Sequence, residues 1–342
     1  MKMEVNMEKI FNIGIIGAGR IGKLHAQNIV AYHRNVKIAA ISDLFYKNLS
    51  EWANGLGIEN LTGDYKDILN DPMIDAILIC SPTDTHAQIS IEAAKAGKHI
   101  FCEKPIDMDP DRIKEVLNCV KEAGVVFQVG FNRRFDKNFR GAYESVREGK
   151  IGKVHVVKIT SRDPEPPTPE YIQVSGGLFM DMTIHDFDMA RYLSGSEVIQ
   201  VYATGDTLVD KSIADLGDID TAAVVLKFEN GAIGIIDNSR KAVYGYDQRI
   251  EVFGSEGCIT VSNEINSLAV LSDKNGVLSE KPKYFFLERY KESFINEIGE
   301  FIDCILHNKK PPVNGVDGLI SVLIAQAAKK SLQSGKAETV YL

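Results

Sequence analysis

From residue 11 to residue 129 the chain alternates short β-rich runs with helix-period stretches, and that alternation restricts its fold more than anything else in the sequence. Residues 11–16, 36–42, 75–80, 99–102 and 125–129 are apolar runs of strand length, rich in Val, Ile and Ala. Helical periodicity fills 21–32, 87–96 and 111–123, and the last two stretches stop at Gly97 and Gly124. Continuous apolar strands separated by helices predict a parallel sheet covered on both faces. Right-handed crossovers then give a doubly wound α/β domain, expected over residues 10–130.

Beyond Gly130 the texture changes. A helix is expected over 138–148 and a strand over 153–161, followed by the proline-dense loop Asp163-Pro-Glu-Pro-Pro-Thr-Pro169 and a helix over 177–193. Strands then follow one another at 198–204, 221–228, 233–238, 249–253 and 257–260, with Asn230-Gly231 and Gly254-Ser-Glu-Gly257 placed as hairpin turns are. The tail returns to helix at 293–306 and 319–331. This pattern predicts a second, α+β domain over 131–342, with an open, mainly antiparallel sheet and a final helix free to pack back on the first domain. No internal repeat or low-complexity segment interrupts it.

Composition excludes several function classes. The 342 residues carry 39 basic and 47 acidic side chains, a net charge of −8, which lacks the positive field of a nucleic-acid binder. The longest apolar runs, such as Ala76-Ile-Leu-Ile-Cys80, fall far short of the roughly 20 residues of a membrane helix. Cys80, Cys102, Cys119, Cys258 and Cys304 are scattered and form no CxxC pair, so neither a disulfide framework nor a zinc knuckle fits. The first ten residues hold no apolar stretch of signal-peptide length. A reduced, cytoplasmic location is the expectation.

Gly17-Ala-Gly-Arg-Ile-Gly22 matches G-x-G-x-x-G where a strand ends and a helix opens, the context that gives the motif meaning. Gly17 permits the tight turn, Gly19 lets a pyrophosphate approach the backbone, and Gly22 lets the helix pack on the sheet. Asp43 closes the second strand at the distance expected of an acid that binds the adenosine ribose hydroxyls. Its charge favours NAD over NADP, although Lys47 lies close by in sequence. Flavin enzymes share this fingerprint, so the second domain must decide the chemistry.

Two further groups of residues carry reactive chemistry. Lys104 in Glu103-Lys104-Pro105 follows the strand at 99–102, at the carboxyl edge where open α/β sheets bind ligands. Asp181 and His185, four positions apart in an expected helix, share one face. A carboxylate there orients an imidazole and stabilises its protonated form, as suits a general base. The same residues also fit a structural pair. With Asp186 and Asp188 they raise the idea of a metal site, for which the spacing supplies only two ligands.

Taken together, Gly17–Gly22, Ser81-Pro82-Thr83 with His86, Glu103-Lys104-Pro105, Gly130-Phe-Asn-Arg-Arg134, and Gly176-Gly177 followed by Asp181-x-x-x-His185 resemble the glucose–fructose oxidoreductase/inositol dehydrogenase (Gfo/Idh/MocA) family. The likeness runs over essentially the whole chain in the same order. Residues 179–190 and 285–290 resemble the inositol-oxidising branch more than the sugar-nucleotide branches. The resemblance implies Lys104, Asp181 and His185 as catalytic residues. It implies Gly17, Gly19, Arg20, Ile21, Gly22, Asp43, Ser81, Pro82, His86 and Glu103 around the cofactor, with Glu103 at the nicotinamide ribose. It implies Arg133, Asp163 and Tyr244, with Lys104, Asp181 and His185, around a polyol, no metal, and a homo-oligomer, a homotetramer, assembled through the open sheet. Lacking the export leader of the secreted members, the chain is expected to exchange its cofactor.

The expected reaction is reversible oxidation of a ring secondary alcohol, with myo-inositol to 2-keto-myo-inositol as the case the branch implies. His185 takes the hydroxyl proton, Asp181 supports the imidazolium, Lys104 stabilises the developing alkoxide, and the dinucleotide carries the hydride. Two alternatives stand beside it. One is an NAD(P)-dependent dehydrogenase of another polyol or sugar, such as glucose or scyllo-inositol. The other is a non-catalytic NAD-binding sensor, against which the acid–base set argues.

Overall fold

A computed structural model describes residues 10–342. The chain forms two compact units: the described residues up to Gly130 with Phe294–Leu319, and Phe131–Ser293 with Ile320–Leu342. Neither unit is a single stretch of sequence.

The first unit holds a sheet of β1 (Phe11–Ile16), β2 (Val36–Ser42), β3 (Leu61–Thr62), β4 (Ala76–Ile79), β5 (His99–Cys102) and β6 (Phe127–Val129). Its order is β3-β2-β1-β4-β5-β6, and every pairing is parallel. This is the doubly wound sheet expected, with β3 added; two residues are too few to leave a strand signal. The order reverses between β1 and β4, the position where such sheets take ligands. The helix Thr83–Lys95 begins four residues before its apolar periodicity because its first turn is polar: Thr83, Asp84 and Thr85. The helix Pro110–Ala123 starts at a proline, is capped by Asp109, and ends at Gly124 in the left-handed conformation (φ 66°).

The returning segment completes this core. Ile298, Phe301 and Ile302, on the helix Lys291–Leu306, are buried in one cluster with Ile13, Ile15, Leu78 and Phe101. Gln128 Nε2 donates to the Glu297 carbonyl at 2.8 Å, and the Val129 N–H to the Val313 carbonyl at 3.3 Å.

The second unit is built on β7 (Val154–Arg162), β8 (Val198–Asp206), β9 (Thr221–Phe228), β10 (Ile233–Ser239), β11 (Asp247–Gly254) and β12 (Cys258–Val261). A hairpin of β13 (Val270–Asp273) and β14 (Gly276–Ser279) stands apart, and β15 (Glu338–Thr339) closes an edge. The sheet order is β12-β11-β7-β10-β9-β8-β15; only β7 with β10 is parallel. The mainly antiparallel sheet is therefore as the sequence predicts. Asn230-Gly231 makes the β9–β10 turn, with Gly231 at φ 87°. Along β9, Ala222, Val224, Leu226 and Phe228 are buried while Val225 points out. Register puts Tyr202, Val225, Ile235, Lys158 and Glu251 in one cross-strand row on the outer face, where Tyr202, Val225 and Ile235 are exposed. The β13–β14 hairpin gave no sequence signal because all its residues are exposed, so no apolar alternation marks it. Among the described residues, no helix is long and apolar enough to cross a membrane.

Candidate active site

The glycine turn is a consequence of crowding. Gly17 has φ 91°, and a Cβ there would lie 2.5 Å from the Ser81 nitrogen, so only glycine lets the β1 turn lie against the β4 turn. A Cβ on Gly22 would meet the Gly17 carbonyl oxygen at 2.0 Å, which sets how closely the helix Arg20–Tyr32 packs. Gly19 has the opposite surroundings, with nothing within 4 Å of a Cβ position. It caps a 13-residue helix without a side-chain hydrogen bond, so the first-turn N–H groups depend on another acceptor. Arg20 is exposed and Ile21 half-buried in that turn. Open space at Gly19 and a helix N-terminus fit a pyrophosphate.

Asp43 ends β2 beside this turn. Its Oδ2 accepts the Ala18 N–H and its Oδ1 the Phe45 N–H, both at 2.8 Å. The carboxylate thus braces the turn, and each oxygen keeps a lone pair for a ribose hydroxyl. Lys47 is exposed, with its ammonium 5.9 Å from the centre of the Tyr46 ring.

Ser81 and Pro82 form the adjoining turn, with Ser81 Oγ 2.6 Å from Thr85 Oγ1. His86 is buried, and its ring nitrogens each lie 2.8 Å from a backbone carbonyl, Nε2 from Ser81 and Nδ1 from Pro105. It is a strut joining the two turns that carry Ser81 and Lys104. The Lys104–Pro105 peptide is cis, and Glu103 and Lys104 are both half-buried at the end of β5.

In the second unit the expected helix over 177–193 is broken. Leu178–Asp181 and Thr183–Ser194 are separate helices, with Met182 between them at φ −96°, ψ −59°. Asp181 therefore ends one helix and His185 lies in the first turn of the next, so they do not share one continuous helical face. Gly176 and Gly177, both with positive φ, turn the chain into the first of these helices. The Leu178 N–H is accepted by Asp218 Oδ1 at 2.9 Å.

The Asp181 carboxylate accepts from Tyr171 Oη at 2.8 Å and from Arg240 Nη1 at 2.9 Å. Arg240 is nearly inaccessible and draws in two more acids, Asp163 at 3.8 Å and Asp218 at 3.9 Å. Burial, opposed by Arg240 and reinforced by Asp181, pushes the Asp163 carboxyl up to about 6. His185 is half-buried, edge-on to Phe131 at 5.8 Å.

The remaining acids of the segment are structural. Arg133 and Asp186 form a buried ion pair, Asn238 Nδ2 donates to Asp186 at 2.8 Å, and Arg133 reaches Ser161 Oγ at 3.2 Å. Burial alone would lower the pKa of Arg133, but Tyr290 and Asp186 hold it above the usual value. Arg134 grips Asp188 through both Nε and Nη2. Asp186 and Asp188 are thus arginine partners, which accounts for their crowding without a metal. Tyr244 donates to Asp247 at 2.6 Å and accepts from Arg162 at 3.1 Å.

Arg240, Tyr171 and Asp218 are absent from the sequence-predicted set. No motif surrounds them, and only the fold joins residues as far apart as 181 and 240.

Known proteins bear on the same residues. The model of the oxidoreductase family with an NAD-binding Rossmann fold matches residues 11–131, and that of the GFO/IDH/MocA C-terminal domain matches 139–260. An uncharacterised oxidoreductase of Bacillus subtilis, YrbE, is 55% identical over 96% of each chain. Myo-inositol 2-dehydrogenase of Thermotoga maritima is 49% identical over 95% of this chain and 97% of its own. The structure of Lactobacillus casei scyllo-inositol dehydrogenase with NAD(H) and scyllo-inositol superimposes with a TM-score of 0.91 at 31% identity, covering 97% of this chain and 99% of that one. Family models spanning both units and relatives matched along nearly their whole length lead to one statement: this chain belongs to the Gfo/Idh/MocA family of oxidoreductases.

Proposed function

We propose that the protein is an NAD-dependent inositol dehydrogenase that oxidises a ring secondary alcohol of myo-inositol to 2-keto-myo-inositol. Residues 10–130 serve the dinucleotide; residues 131–342 serve the polyol and assembly, apart from the stretch that returns to the first core. The observation that carries this reading is the network on Asp181, four residues before His185. Tyr171 and Asp163 present polar groups beside it, and the buried Arg240 holds the acids in place, a setting that suits a hydroxyl-rich ring. Inositol dehydrogenases among the relatives support the substrate class.

In this reading His185 accepts the proton of the reacting hydroxyl. Asp181, fixed by Tyr171 and Arg240, supports the charge that develops on the imidazole. Lys104 donates to the same oxygen and stabilises its alkoxide character. Asp163, Arg133 and Tyr244 are assigned to the other hydroxyls. Gly17, Gly19, Arg20, Ile21 and Gly22 hold the pyrophosphate, Asp43 the adenosine ribose, and Ser81, Pro82 and Glu103 the nicotinamide half, with His86 bracing their turns. A bound nicotinamide ring supplies the hydride acceptor. The Asp43 carboxylate disfavours a 2′-phosphate, hence NAD over NADP. The exposed apolar row on the outer sheet face suits a second copy of the chain in a homotetramer. Five free cysteines, Cys258 exposed among them, suit the reducing cytoplasm.

The test is reduced-nicotinamide absorbance with NAD or NADP and a panel of myo-inositol, scyllo-inositol and glucose. The expected result is the highest kcat/KM with NAD and myo-inositol. A higher value for scyllo-inositol or glucose would reassign the substrate, and NAD binding without turnover of any polyol would make the protein a sensor. Light scattering should give four subunits.

A further inference from the structure

Behind Glu103 in the first unit lie two buried residues, His25 and Glu297, that none of the steps above uses. His25 lies three residues past Gly22 on the inward face of its helix, fully buried, with its ring edge-on to Phe101 at 5.3 Å and Phe294 at 5.8 Å. Its Nε2 is 3.0 Å from Glu103 Oε1 and 3.9 Å from Glu297 Oε1. One polar atom from each of the three residues lies within 4.8 Å of the other two. Glu297, on the returning helix, is fully buried, and neither carboxyl oxygen has a hydrogen-bond partner. Among the described residues no lysine or arginine pairs with either acid, and Glu103 keeps a small exposed edge.

Two carboxyls this close in a dry core cannot both ionise. Burial and the Glu103 charge push Glu297 well above the usual carboxyl range, so Glu297 is the one that stays protonated. Gly130 lies against the Glu103 carboxyl, where a Cβ would sit 2.9 Å from Oε2 and 3.3 Å from Oε1. His25 therefore holds one oxygen of Glu103, the backbone at Gly130 lies against the carboxyl, and Glu297, favoured in its protonated form, adds no second charge beside it.

We infer that His25 and Glu297 are positioning residues that hold Glu103 in one orientation as the acceptor for the ribose hydroxyls next to the nicotinamide. The inference rests on the cofactor reading above. Neither residue touches substrate; both act through Glu103.

The test uses the full chain and measures NAD affinity by calorimetry, the KM for each substrate, kcat and the thermal midpoint. His25→Phe keeps the bulk and removes the donor, and should weaken NAD binding roughly 10-fold or more, the size expected for a hydrogen bond to a charged group. The KM for the polyol should hold, and His25→Gln, which restores an N–H, should recover NAD affinity to within about 3-fold. Glu297→Gln, isosteric and uncharged, should stay within about 3-fold of the parent, whereas Glu297→Leu should not. Gly130→Ala presses directly on Glu103 and should weaken NAD binding even if His25→Phe does not fold. Variants that lower the thermal midpoint yet bind NAD normally would overturn the inference, leaving a purely structural cluster. So would a Glu297→Gln variant as impaired as Glu297→Leu, or stoichiometric divalent metal in the purified protein. An unmodified protein that fails to bind NAD would sink the cofactor reading itself, a different result from normal binding in the variants.

Discussion

The glycine turn of the first unit and the Arg240 centre of the second are made of different materials. The turn is backbone: Gly17 and Gly22 exist to have no side chain, Gly19 opens space over a helix end, and Asp43 braces an N–H. The Arg240 centre is charge: one buried guanidinium among Asp163, Asp181 and Asp218, with Tyr171 completing the set. A backbone site is damaged by adding atoms; a charge site is damaged by removing one partner from the balance.

The sharpest way to separate them is His185→Ala, which should lower turnover roughly 10²–10⁴-fold while NAD affinity stays normal. Equal turnover across pH would remove His185 from the reaction. Next is Arg240→Met, which leaves buried carboxylates uncompensated and should cost about 3–5 kcal/mol of stability. Denaturant unfolding measures that loss, and kcat/KM for the polyol should fall with it; a neutral result would show that water, not Arg240, balances the acids. Gly17→Ala should strain a left-handed residue by about 1–3 kcal/mol and weaken NAD binding, with little change in the polyol KM. Asp43→Ala should weaken NAD binding by about 10-fold and narrow the gap to NADP, while Asp43→Asn, which keeps an acceptor for Ala18, should separate bracing from ribose recognition.

The smallest effect belongs to Asp163. Its folded value of about 6 lies above the roughly 3.9 of an unfolded aspartate, so the fold favours the protonated carboxyl. The stability contributed by this group is complete below the unfolded value, drains as pH rises, and is gone above about 6. Asp163→Asn should therefore gain on the parent in thermal midpoint from roughly pH 4 to 6 and then run parallel to it. A difference that does not vary with pH would return Asp163 to an ordinary surface acid.

The same contrast explains what could be read from the sequence. The doubly wound sheet and the glycine turn are encoded locally, in apolar runs and in a six-residue spacing, and both were legible. Asp181 and His185 were visible as a pair, but the break at Met182 was not, since Met182 fits a helix and nothing nearby marks a stop. Arg240, Tyr171, His25 and Glu297 acquire meaning only from partners far along the chain. In the sequence Asp186 and Asp188 read as spare acids; the fold pairs them with Arg133 and Arg134.

The return of Phe294–Leu319 to the first core has a consequence for biosynthesis. On the ribosome, the amino-terminal sheet is translated long before Ile298, Phe301 and Ile302 exist to cover it. Until synthesis has passed those residues, that nascent domain must wait with an apolar flank bare, and it is there that a chaperone would find its handhold.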